Sequence, residues 1–202
     1  MSKLETNTID TVSGTSTLQV GSTNTSTITL GVSGDTINVP SGVTINNNGT
    51  QTGFGGTNTP AFEVTRGSNQ TITNDTMTKV ELNVETFDTA NAFDSSTNYR
   101  FTPQTAGKYY IYAQATCQIA VTQIKRYTLV IRKNGSNYKY MSNYFTDNPA
   151  FINQIYIGST IVFNGSSDYV DLYTKIENQS SGTPQINGDS TELTFGGYKI
   201  IE

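Results

Sequence analysis

Phe101-Thr102-Pro103-Gln104-Thr105-Ala106-Gly107-Lys108-Tyr109-Tyr110-Ile111-Tyr112 runs from an aromatic residue through a proline turn and a glycine into an alternating aromatic strand. Successive strand residues point to opposite faces, so Tyr109 to Cys117 carries aromatic side chains on both faces of one sheet. Upstream, Lys79-Val80-Glu81-Leu82-Asn83-Val84 alternates polar and apolar residues, which predicts one strand with Val80, Leu82 and Val84 inward. Downstream, the apolar run Tyr127 to Ile131 leads into Asn134-Gly135, the strongest short hairpin signal, with Tyr138 to Phe145 as its return strand. Phe151 to Phe163 predicts further strand broken at Gly158. Asn164-Gly165 is another turn, Tyr169 to Ile176 alternates again, Ser180 to Gly188 reads as a polar loop, and Thr191 to Ile201 is the last strand. That makes eight to ten short strands with no amphipathic helical period. The fold class is therefore all-β, an antiparallel sandwich or jelly roll.

Composition narrows the chemistry. Of 202 residues only 14% are charged, against about 25% in ordinary globular chains. The net charge of -4 is no footprint for nucleic acid. The chain has no histidine, which excludes Ser-His-Asp triads, Cys-His pairs and His-ligated zinc. The single cysteine, Cys117, cannot form an internal disulfide and reads as a buried, inert thiol. No carboxylate pair falls in a catalytic motif, so no enzyme activity is expected. Met1-Ser2-Lys3-Leu4-Glu5 lacks the apolar stretch of a signal peptide, and no run of 18 apolar residues exists. A protein made in a cytoplasm, without membrane insertion, is the expectation.

The composition changes near Pro60. All twelve tyrosines lie from Tyr99 onward. Residues 1–59 instead carry apolar pairs at i, i+2, namely Leu18/Val20, Ile28/Leu30, Ile37/Val39 and Val43/Ile45, cut by Gly21, Gly31, Gly34, Gly42 and Pro40. Each pair shares one strand face. Two side chains per strand bury too little to offset backbone ordering of roughly 1–2 kcal/mol per residue. The segment is either disordered or intertwined with identical copies around a shared axis, and the regular pairing favours a β shaft. Residues 50–60 read as a glycine-rich hinge. Two domains follow: residues 1–59, an attachment segment and shaft, and residues 60–202, a compact head.

The head resembles the C1q-like members of the C1q/TNF-like superfamily. The resemblance is carried by Phe62 with Asn69-Gln70, by Lys79 to Asn83, by Phe93-Asp94, and by Phe101, Gly107 and Tyr109. Gly165-Ser166-Ser167-Asp168-Tyr169-Val170 and Thr194-Phe195-Gly196-Gly197-Tyr198 match the last two strands. It departs in a Phe93–Phe101 spacing one residue longer, in Leu82 for an aromatic, and in Ile111 for a phenylalanine. The resemblance implies a jelly-roll head that is homotrimeric and serves in binding or structure. Thr27 to Ile45 with Gly53-Phe54-Gly55 resembles shaft segments of marine tailed-phage fibre and virion proteins.

Together these imply a homotrimeric phage virion protein, a tail fibre or appendage whose head attaches to a host-surface glycan or protein. The N-terminal segment would join other virion proteins. An architectural capsid fibre, decoration protein or tail adaptor is the alternative, and a free C1q-like lectin a third. Phe101, Gly107, Tyr109, Ile111, Tyr127, Tyr169 and Phe195 are expected in the core or along the trimer axis. Tyr138, Tyr140 and Tyr144 flank a hairpin, and a surface stacking patch there is an alternative to core packing. C1q-like trimers hold Ca2+ near the trimer top, where Asp147-Asn148 and Asn187-Gly188-Asp189 offer oxygen ligands. Turn formation accounts for those residues better, so no cofactor is expected.

Overall fold

The computed structural model describes residues 20–21, 23–46, 48–49, 58–121, 123–179 and 182–201. Leu18 and most of the expected hinge lie outside them. The chain divides into two compact units, residues 1–52 and 53–202.

The second unit is built from thirteen strands and, among the described residues, no helix: β1 Ala61–Thr65, β2 Gln70–Thr71, β3 Thr78–Lys79, β4 Val84–Asp88, β5 Phe93–Asp94, β6 Arg100–Phe101, β7 Gly107–Gln118, β8 Ile124–Lys133, β9 Ser136–Tyr144, β10 Ile152–Phe163, β11 Val170–Asn178, β12 Gln185–Ile186 and β13 Leu193–Lys199. All pairings are antiparallel. One sheet runs β2-β12-β7-β13-β1-β4, with β10 on the other side of β7. The second runs β5-β6-β11-β8-β9, with β3 also on β11. The strand order is that of a jelly roll.

Alternation explains the core. On β7, Tyr109, Ile111, Ala113, Ala115 and Cys117 are all fully buried, while Tyr110 and Tyr112 face out. On β11, Val170, Leu172, Thr174 and Ile176 point in. The two sheets meet through phenylalanines. Phe62 of β1 stacks on Phe101 of β6 at 4.1 Å between ring centroids, and Phe195 meets Phe62 edge-on at 5.3 Å. Two buried hydroxyls are satisfied across the core: Tyr127 O–H donates to the Ala115 carbonyl at 3.0 Å, and Thr174 O–H to Thr128 O at 3.1 Å. Cys117 is buried, and burial pushes its thiol up to about 12.

Three expectations are corrected. Residues 79–84 are not one strand: β3 pairs with β11 in one sheet, and β4 pairs with β1 in the other. The chain crosses between the sheets over residues 80–83. Val80 and Leu82 enter the core there, while Val84, expected inward, is exposed. Gly158 does not break β10, which pairs with β7 without interruption from Ile152 to Phe163. It makes room instead: a Cβ there would run into the Tyr110 ring. The polar loop at 180–188 contains β12, which pairs with both β2 and β7.

In the first unit the expected β pieces are not formed, since among described residues 20–49 none lies in a strand. Turns are present: Asp35 N–H donates to Val32 O at 3.0 Å and Val43 N–H to Pro40 O at 3.2 Å. Val20, Ile28, Leu30, Ile37, Val39, Val43 and Ile45 are 41% to 66% exposed. Among the described residues no strand pairs with this segment, and its apolar pairs stay open to solvent.

Candidate functional site

The outward face of the seven-stranded sheet is aromatic. Tyr110 and Tyr112 of β7, Tyr156 and Val162 of β10, Tyr198 of β13 and Phe87 of β4 alternate with core residues on their strands. Register brings them together. Tyr110 stands opposite Tyr198 on one side and Thr160 on the other, and Tyr112 opposite Gly196 and Gly158. These glycines leave the rings space to lie across the sheet: a Cβ on Gly196 would meet the Tyr112 ring at 2.6 Å. Tyr110 and Tyr112 stack with centroids 6.2 Å apart, and Tyr198 lies 5.9 Å from Tyr110. The Tyr110 and Tyr156 hydroxyls are 3.2 Å apart, and Tyr112 O–H donates to Glu63 Oε2 at 2.9 Å.

Glu63 brings a carboxylate to this face, and the phenols of Tyr112 and Tyr156 are held neutral beside it. The hydrogen bond with Tyr110, followed by burial, pushes the Tyr156 phenol up to about 12. Burial, then the Glu63 carboxylate, raises Tyr112 well above the usual tyrosine range. A neutral aromatic patch with few charges has the chemistry of a protein contact surface. Its alternation on β7 was legible in the sequence as aromatics on both faces. Its extent was not, because Tyr156, Tyr198 and Phe87 come from other strands whose register only folding sets.

The residues singled out from sequence fall into three groups. Phe101, Tyr109, Ile111, Tyr127 and Phe195 are buried inside the subunit. Gly107 opens β7 opposite Phe163, and Tyr169 is half-buried beneath the Arg100 guanidinium at 4.4 Å. Tyr138, Tyr140 and Tyr144 are exposed on β9, the edge strand of the six-stranded sheet. They do not form one patch. Tyr140 and Tyr144 stand opposite Val130 and Arg126, but an irregularity opposite Ile131 and Arg132 displaces Tyr138 from that alternation, and its hydroxyl donates to Thr160 O of β10 at 3.2 Å.

The suggested calcium ligands are engaged in turns. Asp189 Oδ1 accepts from the Thr191 N–H at 2.8 Å and from its hydroxyl, and Asn187 Nδ2 donates to Glu192 Oε2 at 2.6 Å. Asp147 and Asn148 are exposed in the β9–β10 connection. Among the described residues no three His, Cys, Asp or Glu side chains converge to hold a metal ion.

The titrating groups set a pH window for the head. Hydrogen bonds from Thr97 hold Asp94 below the usual 3.8; Lys175 does the same for Asp75, Asn134 for Asp168 and Thr191 for Asp189. A carboxylate with a lowered folded pKa contributes stability above its unfolded value and loses it as pH falls through the folded one. Burial raises Tyr109 to about 12 and lifts Tyr127 well above the usual tyrosine value. Their contribution is complete below 10.0, the unfolded tyrosine value, and is lost as pH rises beyond it. Denaturation midpoints measured across pH are expected to be flat from about pH 5 to about pH 9 and to fall on both sides.

No protein-family model matches the chain, and no curated protein matches its sequence. Solved structures do. The globular domain of zebrafish complement 1qA protein aligns with a TM-score of 0.50 and 17% identity, over 70% of this chain and 97% of that one. Eiger TNF from S. frugiperda aligns at 0.51 and 10% identity, over 69% and 91%. Murine APRIL at pH 5.0 aligns at 0.51 and 12% identity, over 69% and 98%. At such identities the likeness is one of fold. The strand order, the antiparallel pairing and these alignments make residues 61–199 a C1q/TNF-like jelly roll.

Proposed function

We propose that the protein is a homotrimeric binding or structural head, assembled through the tyrosine face of its seven-stranded sheet. The observation that carries this reading is the unpaired aromatic surface of Tyr110, Tyr112, Tyr156 and Tyr198, with Phe87 and Val162 beside it. A mostly aromatic patch spread over four strands would bury its apolar area against a second copy, which stabilises by about 25 cal/mol per Å2. The resemblance of the head to C1q-like modules supports a three-fold arrangement.

The N-terminal unit extends the reading to a phage virion appendage. Among the described residues eight large apolar side chains of this unit sit exposed in one chain and would be covered if three copies wound together. Residues 27–45 resemble phage shaft segments, which supports a fibre whose head meets the host surface and whose N-terminal segment joins other virion proteins. Several weak sites on one particle then act together by avidity.

Native mass in solution tests the assembly. The full chain is expected at three times its subunit mass of 21.9 kDa. Tyr110→Glu with Tyr156→Glu places two charges in the face and is expected to yield folded monomers or loosely joined subunits. A wild-type monomer, or a double variant that stays trimeric, removes the tyrosine face from the assembly.

A further inference from the structure

The chain has four arginines and sixteen carboxylates to pair with them. Arg66 pairs with Glu81 at 3.3 Å, and Arg126 with Glu177 at 2.9 Å and Asp75 at 3.3 Å. Arg100 and Arg132 pair with no described carboxylate. Each lies over a tyrosine ring instead, Arg100 at 4.4 Å from the Tyr169 centroid and Arg132 at 3.9 Å from that of Tyr173.

Both arginines belong to the outward face of the six-stranded sheet. Asp171 of β11 stands between them, opposite Arg100 of β6 and Arg132 of β8. Asp171 is buried, its Oδ2 is held by Lys79 Nζ at 2.8 Å, and its Oδ1 has no hydrogen-bond partner. Lys79 Nζ also donates to Asn98 O at 2.8 Å, so this cation is fully engaged. Asp94, opposite Arg100 in β5, spends its oxygens on the Ser96, Thr97 and Asn98 turn. Three cations thus stand beside two carboxylates, Asp171 and Asp94, a small local positive excess on an acidic protein.

A guanidinium lying over a ring loses water from one face but keeps its N–H donors in the plane, in the fork that matches an oxyanion. Arg132 commits only Nε, to Asn137 Oδ1 at 2.9 Å. The remaining donors of both forks meet no described acceptor. Arg100 also lines a shallow depression of about 290 Å3 with Asn91, Asp94, Asn98, Thr102 and Gln104; the Asp94 oxygens are taken by their own turn, and the amides and hydroxyl suit sugar hydroxyl groups. Across the sheet, Tyr173 stands opposite Val130 and Val130 opposite Tyr140, which is 64% exposed. Such a ring offers a flat apolar face to a sugar ring.

We propose that this face binds an acidic polysaccharide. Arg100 and Arg132 take its carboxylate or sulfate groups and Tyr140 packs on a sugar ring. Its biological setting rests on the reading of the head as a recognition module, whereas the site itself lies within one subunit.

Titration calorimetry of the full chain with polygalacturonate, dextran sulfate and neutral dextran tests it. Binding is expected to one or both acidic polymers and not to the neutral one. Polygalacturonate alone would assign carboxylate recognition, and dextran sulfate alone sulfate esters. Arg100→Gln with Arg132→Gln is expected to weaken binding at least about tenfold, the loss of one charge-assisted hydrogen bond or more. Arg100→Lys with Arg132→Lys keeps the charge, removes the fork, and is expected to weaken binding with native mass and circular dichroism unchanged. Lys199→Gln, on the other sheet, is expected to bind as wild type.

Four results would overturn the proposal: no binding to either acidic polymer, equal binding of neutral dextran, wild-type affinity in the lysine variant, or a DNA duplex bound as tightly through the same arginines. Trimeric protein that attaches to host cells regardless of the arginine variants would keep the recognition reading and remove this site. Monomeric protein that still binds polygalacturonate would keep this site and remove the trimeric assembly.

Discussion

Phe101→Ala is expected to lower the stability of the head by about 3–5 kcal/mol, the range for deleting a buried aromatic side chain. Phe101 has no exposed surface and touches both sheets. It stacks on Phe62 at 4.1 Å and meets Tyr109 and Phe163 edge-on at 6.0 Å and 6.2 Å. Its neighbours sit on regular strands and cannot collapse into the space, so the cavity term persists. A domain with about 5–15 kcal/mol in total would lose roughly a fifth of it or more. Phe101→Leu leaves less empty volume and is expected to fall between wild type and the alanine variant. The chain has no tryptophan, so urea unfolding is followed by far-ultraviolet circular dichroism and tyrosine fluorescence at fixed subunit concentration. A loss below about 1 kcal/mol, typical of an ordinary point mutation, would show that the phenylalanine cluster does not hold the sheets together.

Gly165→Ala is expected to be nearly as damaging, for a different reason. Gly165 has φ +74°, a conformation that costs any residue with a Cβ roughly 1–2 kcal/mol. A Cβ would also run into the backbone nitrogen of Ala106 and lie 2.9 Å from Ala106 Cα and Thr105 C. Backbone cannot swing aside as a side-chain end can. Three turns meet here. Asn164 Oδ1 accepts from the N–H groups of Ser166, Ser167 and Asp168 at 3.0 Å, and Asp168 accepts from Asn134 Nδ2 at 2.8 Å and Lys133 Nζ at 2.9 Å. Displacing Thr105 and Ala106 disturbs the entry to β7, one of the two longest strands. Gly135→Ala is the comparison, since it shares the positive φ but meets only the Tyr169 hydroxyl at 3.6 Å. Its melting temperature is expected to fall by about 2–8 °C, the backbone cost alone, and that of Gly165→Ala by clearly more. Equal losses in the two variants would mean that residues 105–106 yield to the added methyl group.

Where a segment's own chemistry was enough, the strands could be placed from sequence. Asn134-Gly135 joins β8 to β9 because two consecutive residues tolerant of positive φ sit between two apolar runs. Tyr109 to Cys117 lies within β7 because its alternation matches the pleat. Alternation misled at residues 79–84, where polar and apolar residues also alternate but the chain changes sheets. Period alone cannot separate a strand from an extended crossover whose apolar residues enter the core. Gly158 misled in the opposite sense, since its use is visible only once Tyr110 lies across it. The outward tyrosines and the two ring-stacked arginines were illegible for a common reason. Each set gathers residues from several strands, and hydrogen-bond register decides which of them meet.

By itself, then, the sequence determined an all-β head, its turns, most of its buried aromatic residues and the exclusion of histidine chemistry. These depend on local conformation and on composition. Only the tertiary structure decided that Tyr110, Tyr112, Tyr156 and Tyr198 make one aromatic face, and that Arg100 and Arg132 flank Asp171 without pairing to it. Contacts between residues distant in the chain are set by strand register and by the covering of each sheet. A shift of one residue would turn every one of these side chains to the opposite face.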